Sequence, residues 1–224
     1  MSVITVERKI LEKNDDVARL NRAVFSERGI FVLNLVSSPG SGKTSILEKT
    51  CQALRETTKI TVIEGDVQTD LDAQRVAAYG VQVVQIVTLG GCHLDAGLVR
   101  DAMQNLDLGQ TELLFIENVG NLVCPSGYDL GEAMKVTVLS TTEGDDKPLK
   151  YPAMFRNSSV LIINKTDLIP YVNCNLNELK NNALKINPFL RIFEISCKTG
   201  EGISQWCDWL IKAASENPKI KACD

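Results

Sequence analysis

Between residues 31 and 48 the chain passes from an unbroken apolar run (31–36) into a small-residue loop (37–42) and then into a helix-like segment. The alternation recurs. Apolar runs at 60–63, 81–87, 113–116, 135–139, 160–163 and 192–195 predict six further strands. Runs this short, with few polar breaks, mark strands covered on both faces. Between them lie segments of helical period. Residues 5–28 predict an amphipathic helix with Ile10, Val17, Leu20 and Val24 on one face and Gly29 as its stop. Further helices are expected to about residue 56, at 96–106 capped by Asp95, at 176–186 and at 203–214. The fold expected is α/β: a largely parallel, doubly wound sheet of about seven strands with helices on both faces. Residues 141–152, polar and bracketed by prolines, read as a mobile surface loop, and about 216–224 as a frayed tail. A length of 224 residues suits one domain.

The loop after the first strand reads SSPGSGKTS. Strand, glycine-containing loop, Lys-Thr and helix form the P-loop arrangement of nucleotide-binding proteins. Gly40 and Gly42 let backbone N–H groups turn inward toward phosphate oxygens. Lys43 supplies charge to the β- and γ-phosphates, and the Thr44 hydroxyl suits Mg²⁺. Pro39, Gly40, Ser41, Gly42, Lys43, Thr44 and Ser45 are the candidate phosphate contacts. Ser37 stands where the motif usually has its first glycine.

Carboxylates end two other strands. Asp66 follows the second, at the sheet edge where ligands bind in open α/β folds. Asp70 and Asp72 come next, before a short helix. A carboxylate here serves either Mg²⁺ or a helix cap. Asp66 is read as the Mg²⁺ ligand and Asp70 as the cap, while Asp72 stays open between the two. Glu117 ends the fourth strand, where P-loop proteins place a residue that assists Mg²⁺ or the attacking water. Lys43, Thr44, Asp66, Asp72 and Glu117 are thus the catalytic candidates.

The base is indicated by Asn164-Lys165-Thr166-Asp167 at the end of a strand. A carboxylate at 167 accepts from both guanine N1–H and the 2-amino group, donors that adenine lacks in that arrangement. Asn164 ties loops together and Lys165 lies along the base. Downstream, Ser196-Cys197-Lys198 resembles the second guanine-side loop of GTPases. GTP and GDP are the expected nucleotides; a small-molecule kinase on the same core is the rival reading.

A net charge of −4 removes the basic footprint of a nucleic-acid binder. No apolar run approaches a membrane span. A cytoplasmic protein is expected. Its seven scattered cysteines argue for reduced thiols over a disulfide framework. The single histidine, His93, follows Cys92, and Cys124 lies in the loop after another strand. Two readings stand here. Thiolate and imidazole together suit Zn²⁺ or Ni²⁺. Cysteines are also common small core residues, and a lone histidine usually holds no metal.

The stretches GGCHLDA (90–96), FIENVGNLVCP (115–125), TTEGDDKPLKYP (141–152), NKTDL (164–168) and SCKTGEG (196–202) together resemble the HypB family of hydrogenase maturation GTPases. The resemblance runs from the first helix to about residue 214. The related UreG family carries Cys-Pro-His as its metal motif, so CHLDA favours HypB. The resemblance implies a slow GTPase that inserts nickel into the [NiFe]-hydrogenase large subunit alongside a HypA-like chaperone. It implies a GTP-dependent homodimer with Ni²⁺ or Zn²⁺ at Cys92, His93 and Cys124, and Mg²⁺ near Thr44, Asp66 or Asp72, and Glu117. It also implies that Lys150 reaches the nucleotide of the opposite subunit. Alternatives are a regulatory dimerisation module with structural zinc and a urease-type nickel accessory GTPase. The chain departs from the family in three places. No cysteine precedes Cys51 and no histidine accompanies His93, which argues against nickel storage. Leu89-Gly90 stands where relatives often have Gly-Lys, and Ser37 replaces a glycine.

Overall fold

The computed structural model describes residues 6–216. The expected tail therefore lies almost wholly outside the described residues. Seven strands form one parallel sheet: β1 (Phe31–Ser37), β2 (Ile60–Asp66), β3 (Gln82–Val87), β4 (Leu113–Glu117), β5 (Met134–Ser140), β6 (Val160–Asn164) and β7 (Arg191–Glu194). Their spatial order is β3-β2-β4-β1-β5-β6-β7. The strand order reverses around β1, and at such a switch point the carboxyl ends of the strands open a crevice for ligands. The P-loop leaves β1 there.

Every residue of β1, β4 and β6 is buried, which is why these runs carry no polar alternation. On one face, α2 (Lys43–Leu54) and α8 (Ile203–Ser215) cover Leu33, Phe115 and Val138 with Leu47, Trp206 and Leu210. On the other, Phe25 of α1 (Val6–Arg28), Val99 of α4 (Ala96–Met103) and Leu94 just ahead of α4 cover Val32, Ile63 and Leu114. A third cluster joins Leu161 and Ile163 to Met154, Phe155 and Leu179. Of these, Met154 and Phe155 lie on α6 (Pro152–Arg156) and Leu179 on α7 (Leu176–Ile186). The short helices α3 (Leu71–Ala77) and α5 (Lys147–Lys150) complete the element order.

Three sequence expectations change. Residues 141–152 hold a 3₁₀ turn and a short helix where an open surface loop was expected. Ser140 and Glu143 cap each other's backbone in a capping box, and the Thr141 hydroxyl donates to the Lys165 carbonyl at 2.7 Å. A 3₁₀ turn and α5 follow, anchored by buried Pro148. Helix α4 ends at Met103 instead of residue 106. Asp70 occupies the N-cap position of α3 but its side chain makes no capping bond, whereas Asp95 caps α4 through Leu98 N–H at 2.8 Å.

Candidate functional site

The P-loop lies under a cleft of about 470 Å³ lined by Pro39, Gly40, Lys43, Thr44, Glu64, Asp66, Asp72, Arg75, Glu117, Asn118 and Gly120, among others. Gly42, Ser45 and Lys165 line both this cleft and a second one bounded by Asn164, Asp167, Cys197 and Lys198. The cleft over the P-loop and the cleft beside Asp167 therefore adjoin through shared residues. Gly40 and Gly42 have φ of 76° and 96°, a left-handed curl that places N–H groups inward. Lys43 Nζ donates to Ser37 Oγ at 2.9 Å, so the serine replacing the usual glycine parks the phosphate-binding ammonium.

Strand register creates the acidic floor. Glu64 on β2 pairs directly with Glu117 on β4, and neighbouring strands stand about 4.8 Å apart. Two carboxyl groups are thereby forced together under the P-loop. Oxygens of Glu64, Asp72 and Glu117 lie within 4.8 Å of one another. Burial, then the neighbouring Glu117 carboxylate, push the Glu64 carboxyl far above its ordinary range. Burial raises Glu117 as well, against the pull of Lys43, 3.9 Å away. Oε2 of each glutamate is buried with no hydrogen-bond partner. Thr44 Oγ1 donates to Glu117 Oε1 at 2.8 Å. Orphaned carboxylate oxygens beside the P-loop hydroxyl are a hard-oxygen donor set that fits Mg²⁺.

Asp66 is placed differently from expectation. Its Oδ1 accepts from the N–H groups of Gln68 and Thr69, each at 2.8 Å. Burial alone would raise this carboxyl; those bonds outweigh it and hold the group below its ordinary range. Asp66 lines the cleft but shapes the turn, and Glu64 takes the place in the acidic cluster. The sequence carried a signal for it: a second carboxylate, Glu64, two residues before Asp66 in the stretch TVIEGD. Asp72 joins the cluster while its Oδ1 accepts from Arg75 Nη1 at 2.7 Å; Arg75 also grips Glu48 on α2.

The base side is pre-arranged. Asn164 Nδ2 donates to the Ser41 carbonyl at 3.0 Å, and Lys165 Nζ donates to the Gly40 carbonyl at 2.7 Å. Ser196 Oγ donates to Asp167 Oδ1 at 2.6 Å, orienting the carboxylate. Cys197 and Lys198 line the same cleft. Burial pushes the Cys197 thiol up to about 11, which leaves it an apolar wall. Lys150 lines neither cleft; it pairs with Asp146 on the surface at 2.5 Å.

Cys92, His93 and Cys124 converge: one ligand atom from each lies within 4.8 Å of the others. Cys92 Sγ and His93 Nδ1 are 3.4 Å apart. The Cys92 thiol is raised by its hydrogen bond with Cys124 and by burial. Burial lowers His93, favouring the neutral imidazole that ligates metal. The His93 ring packs on Tyr128 with centroids 4.0 Å apart. Asn121 joins the two loops, donating to the Cys92 carbonyl at 3.4 Å. The segment carrying Cys124 begins at Glu117 and passes so close to the P-loop that a Cβ on Gly120 would sit 2.9 Å from Pro39 Cα. Soft thiolate and borderline imidazole suit Ni²⁺ or Zn²⁺. Three candidate ligands, Cys92 exposed among them, would leave room for a further donor.

Residues 31–194 match the family model described as CobW/HypB/UreG, nucleotide-binding domain. The chain is 51% identical over 208 residues to the hydrogenase maturation factor HypB of Azotobacter vinelandii, covering 93% of this chain and 69% of that one. HypB from Helicobacter pylori, solved in complex with nickel, superposes with a TM-score of 0.88 at 39% identity, covering 95% of this chain and 100% of that one. HypB from Archaeoglobus fulgidus superposes with a TM-score of 0.85 at 37% identity, over 91% and 99% of the two chains.

Proposed function

The chain belongs to the CobW/HypB/UreG family, among its HypB hydrogenase maturation factors, and from that premise we propose that it is a GTP-hydrolysing nickel chaperone working as one P-loop domain. Nickel is its cargo, received at Cys92, His93 and Cys124 and passed on for insertion into the large subunit of a [NiFe]-hydrogenase, alongside a HypA-like partner. The observation that carries this reading is the run from Glu117 to Cys124. One short segment starts on the floor of the P-loop cleft and ends at Cys124, whose thiol lies in the Cys92, His93, Cys124 cluster.

Guanine is selected by Asp167, whose carboxylate Ser196 holds in place. Binding of triphosphate draws Lys43 from Ser37 to the phosphates, and Thr44, whose proton goes to Glu117, keeps oxygen lone pairs that would serve a cation. Thr44, Glu117, Glu64 and Asp72 would hold Mg²⁺, which when bound offsets phosphate charge. Glu117 and the loop behind it then have different partners in the GTP and empty states. That is the differential contact a nucleotide needs to bias the metal loops. Two copies, closing over the exposed Cys92, would complete the metal shell, with the surface lysine Lys150 leaving its pair with Asp146 to reach across.

The test is a Ni²⁺ titration of the nucleotide-free, GDP and GTP-analogue forms, with solution mass measured alongside and GTP competed against ATP. The expected result is GTP preference, nickel affinity that depends on nucleotide, and dimer formation with the analogue. Equal affinities and spectra in all three forms would sink the gating. Metal that resists chelators and supports folding would point to structural zinc.

A further inference from the structure

Beneath the metal loops runs a continuous line of buried polar groups. Asn118 Oδ1 accepts from Leu94 N–H at 3.0 Å, the residue directly after His93. Asn118 Nδ2 donates to Asn34 Oδ1 at 3.3 Å. Asn34 Nδ2 donates to Glu132 Oε1 at 3.1 Å, and Glu132 Oε2 accepts from Leu130 N–H at 2.6 Å. Lys135 Nζ stands 3.9 Å from Glu132 and donates to the carbonyls of Pro125, Ser126 and Tyr128 at 3.0, 3.3 and 2.9 Å. All four side chains are buried; Asn34 is 0% exposed and Lys135 7%.

The two ends of this line are the two metal loops. One end holds the backbone after Cys92-His93. The other spends all three ammonium protons on the turn that begins at Cys124 and ends at Tyr128, the residue stacked on His93. The middle crosses β1, the strand that delivers the P-loop, and Asn118 adjoins Glu117 and lines the triphosphate cleft. A buried lysine and glutamate are not the cheapest way to fill this space, since apolar residues of similar volume are often at least as stable. Satisfied polar networks do fix one geometry.

We propose that the line Asn118–Asn34–Glu132–Lys135 is a positioning device that sets the separation of the Cys92-His93 loop from Cys124, with nucleotide occupancy entering it at Asn118. It rests on the metal reading above and specifies what carries the coupling. None of the four residues is a metal ligand; each acts through the loops it holds.

The experiment uses the full chain, Ni²⁺ alone and a chelator in competition, with and without a non-hydrolysable GTP analogue, reading affinity and thiolate-to-nickel absorption. Glu132→Gln/Lys135→Met removes the charges while keeping volume, and Asn34→Ala serves as an independent second break. Leu179→Ala, in the core cluster beside β6, is the control for lost stability alone. Both breaks should weaken nickel about 10–100-fold, shift the absorption band and erase its response to nucleotide, with GTP affinity unchanged. Leu179→Ala should lower Tm and leave nickel binding alone. Breaks that keep the parent's affinity, band and nucleotide response overturn the device while leaving the metal reading standing. A parent protein with no thiolate-to-nickel band overturns both.

Discussion

The Thr44 hydroxyl donates to Glu117 Oε1 at 2.8 Å, joining the first turn of α2 to the end of the adjoining strand β4. The hydroxyl gives its proton to the carboxylate, so the Thr44 oxygen lone pairs and the unpartnered Glu117 Oε2 are the atoms that would remain for a cation.

Replacing Glu117 with Gln keeps the acceptor for Thr44 but removes the charge. GTP turnover should fall about 10²-fold and require much more Mg²⁺, while Tm holds or rises because a buried carboxylate has gone. Steady-state phosphate release against Mg²⁺ concentration checks this. Turnover equal to the parent at low Mg²⁺ would remove Glu117 from the cation site.

Gly42→Ala tests the tie between phosphate and base loops. Gly42 sits at φ 96°, and an added Cβ would approach Asn164 Nδ2 to 2.4 Å, displacing the amide from the Ser41 carbonyl. Strain of about 1–3 kcal/mol is expected from the backbone position. Nucleotide affinity should drop by more than the loss of Tm implies. A calorimetric titration showing parental affinity would contradict this.

Asp167→Asn should exchange the base preference. The new amide still accepts from Ser196 but presents a donor to the guanine 2-amino group. GTP affinity should fall about 10²-fold or more, with xanthosine triphosphate, which has an acceptor there, losing far less. Competition between the two nucleotides reads the outcome directly.

Acid stability should report on the Arg22–Asp129 pair, which fastens α1 to the loop before β5 at 2.7 Å. Burial acts to raise the Asp129 carboxyl, but Arg22 and the Gly131 N–H outweigh it and hold the group below its ordinary range. A depressed carboxylate stabilises the fold above its unfolded pKa of about 3.9, and that stability drains away as pH falls through the lower folded value. Both side chains are more than a third exposed, so the pair contributes only about 0.5–1 kcal/mol after screening. Asp129→Asn should cost about 1–4 °C of Tm at neutral pH, and the cost should shrink as the pH falls toward 2. A difference that stays undiminished at pH 2 would mean packing, not charge.

Local pattern exposed the strand–loop–helix order, the P-loop, the Asn164–Asp167 stretch and the pairing of Cys92 with His93, because each is written in contiguous residues. Glu64 was missed because its role comes from register: only the pairing of β2 with β4 sets it against Glu117. Asp66, read as an Mg²⁺ ligand from its position at a strand end, is taken up by the turn that follows. The loop at 141–152 looked mobile by composition, yet Glu143 and Thr141 find partners distant in sequence, at Ser41 and Lys165.

What the sequence by itself determined is the set of chemical groups: an ammonium and a hydroxyl in a P-loop, a carboxylate in a guanine-reading motif, and two thiols and an imidazole left open between a soft cation and the core. Covalent spacing and period suffice for that. Only the tertiary structure decided which of these groups meet. Parallel strands of differing length end at one edge, so residues far apart in the chain, Cys92 and Cys124 or Glu64 and Glu117, become neighbours through strand order and hydrogen-bond register, which no local pattern encodes.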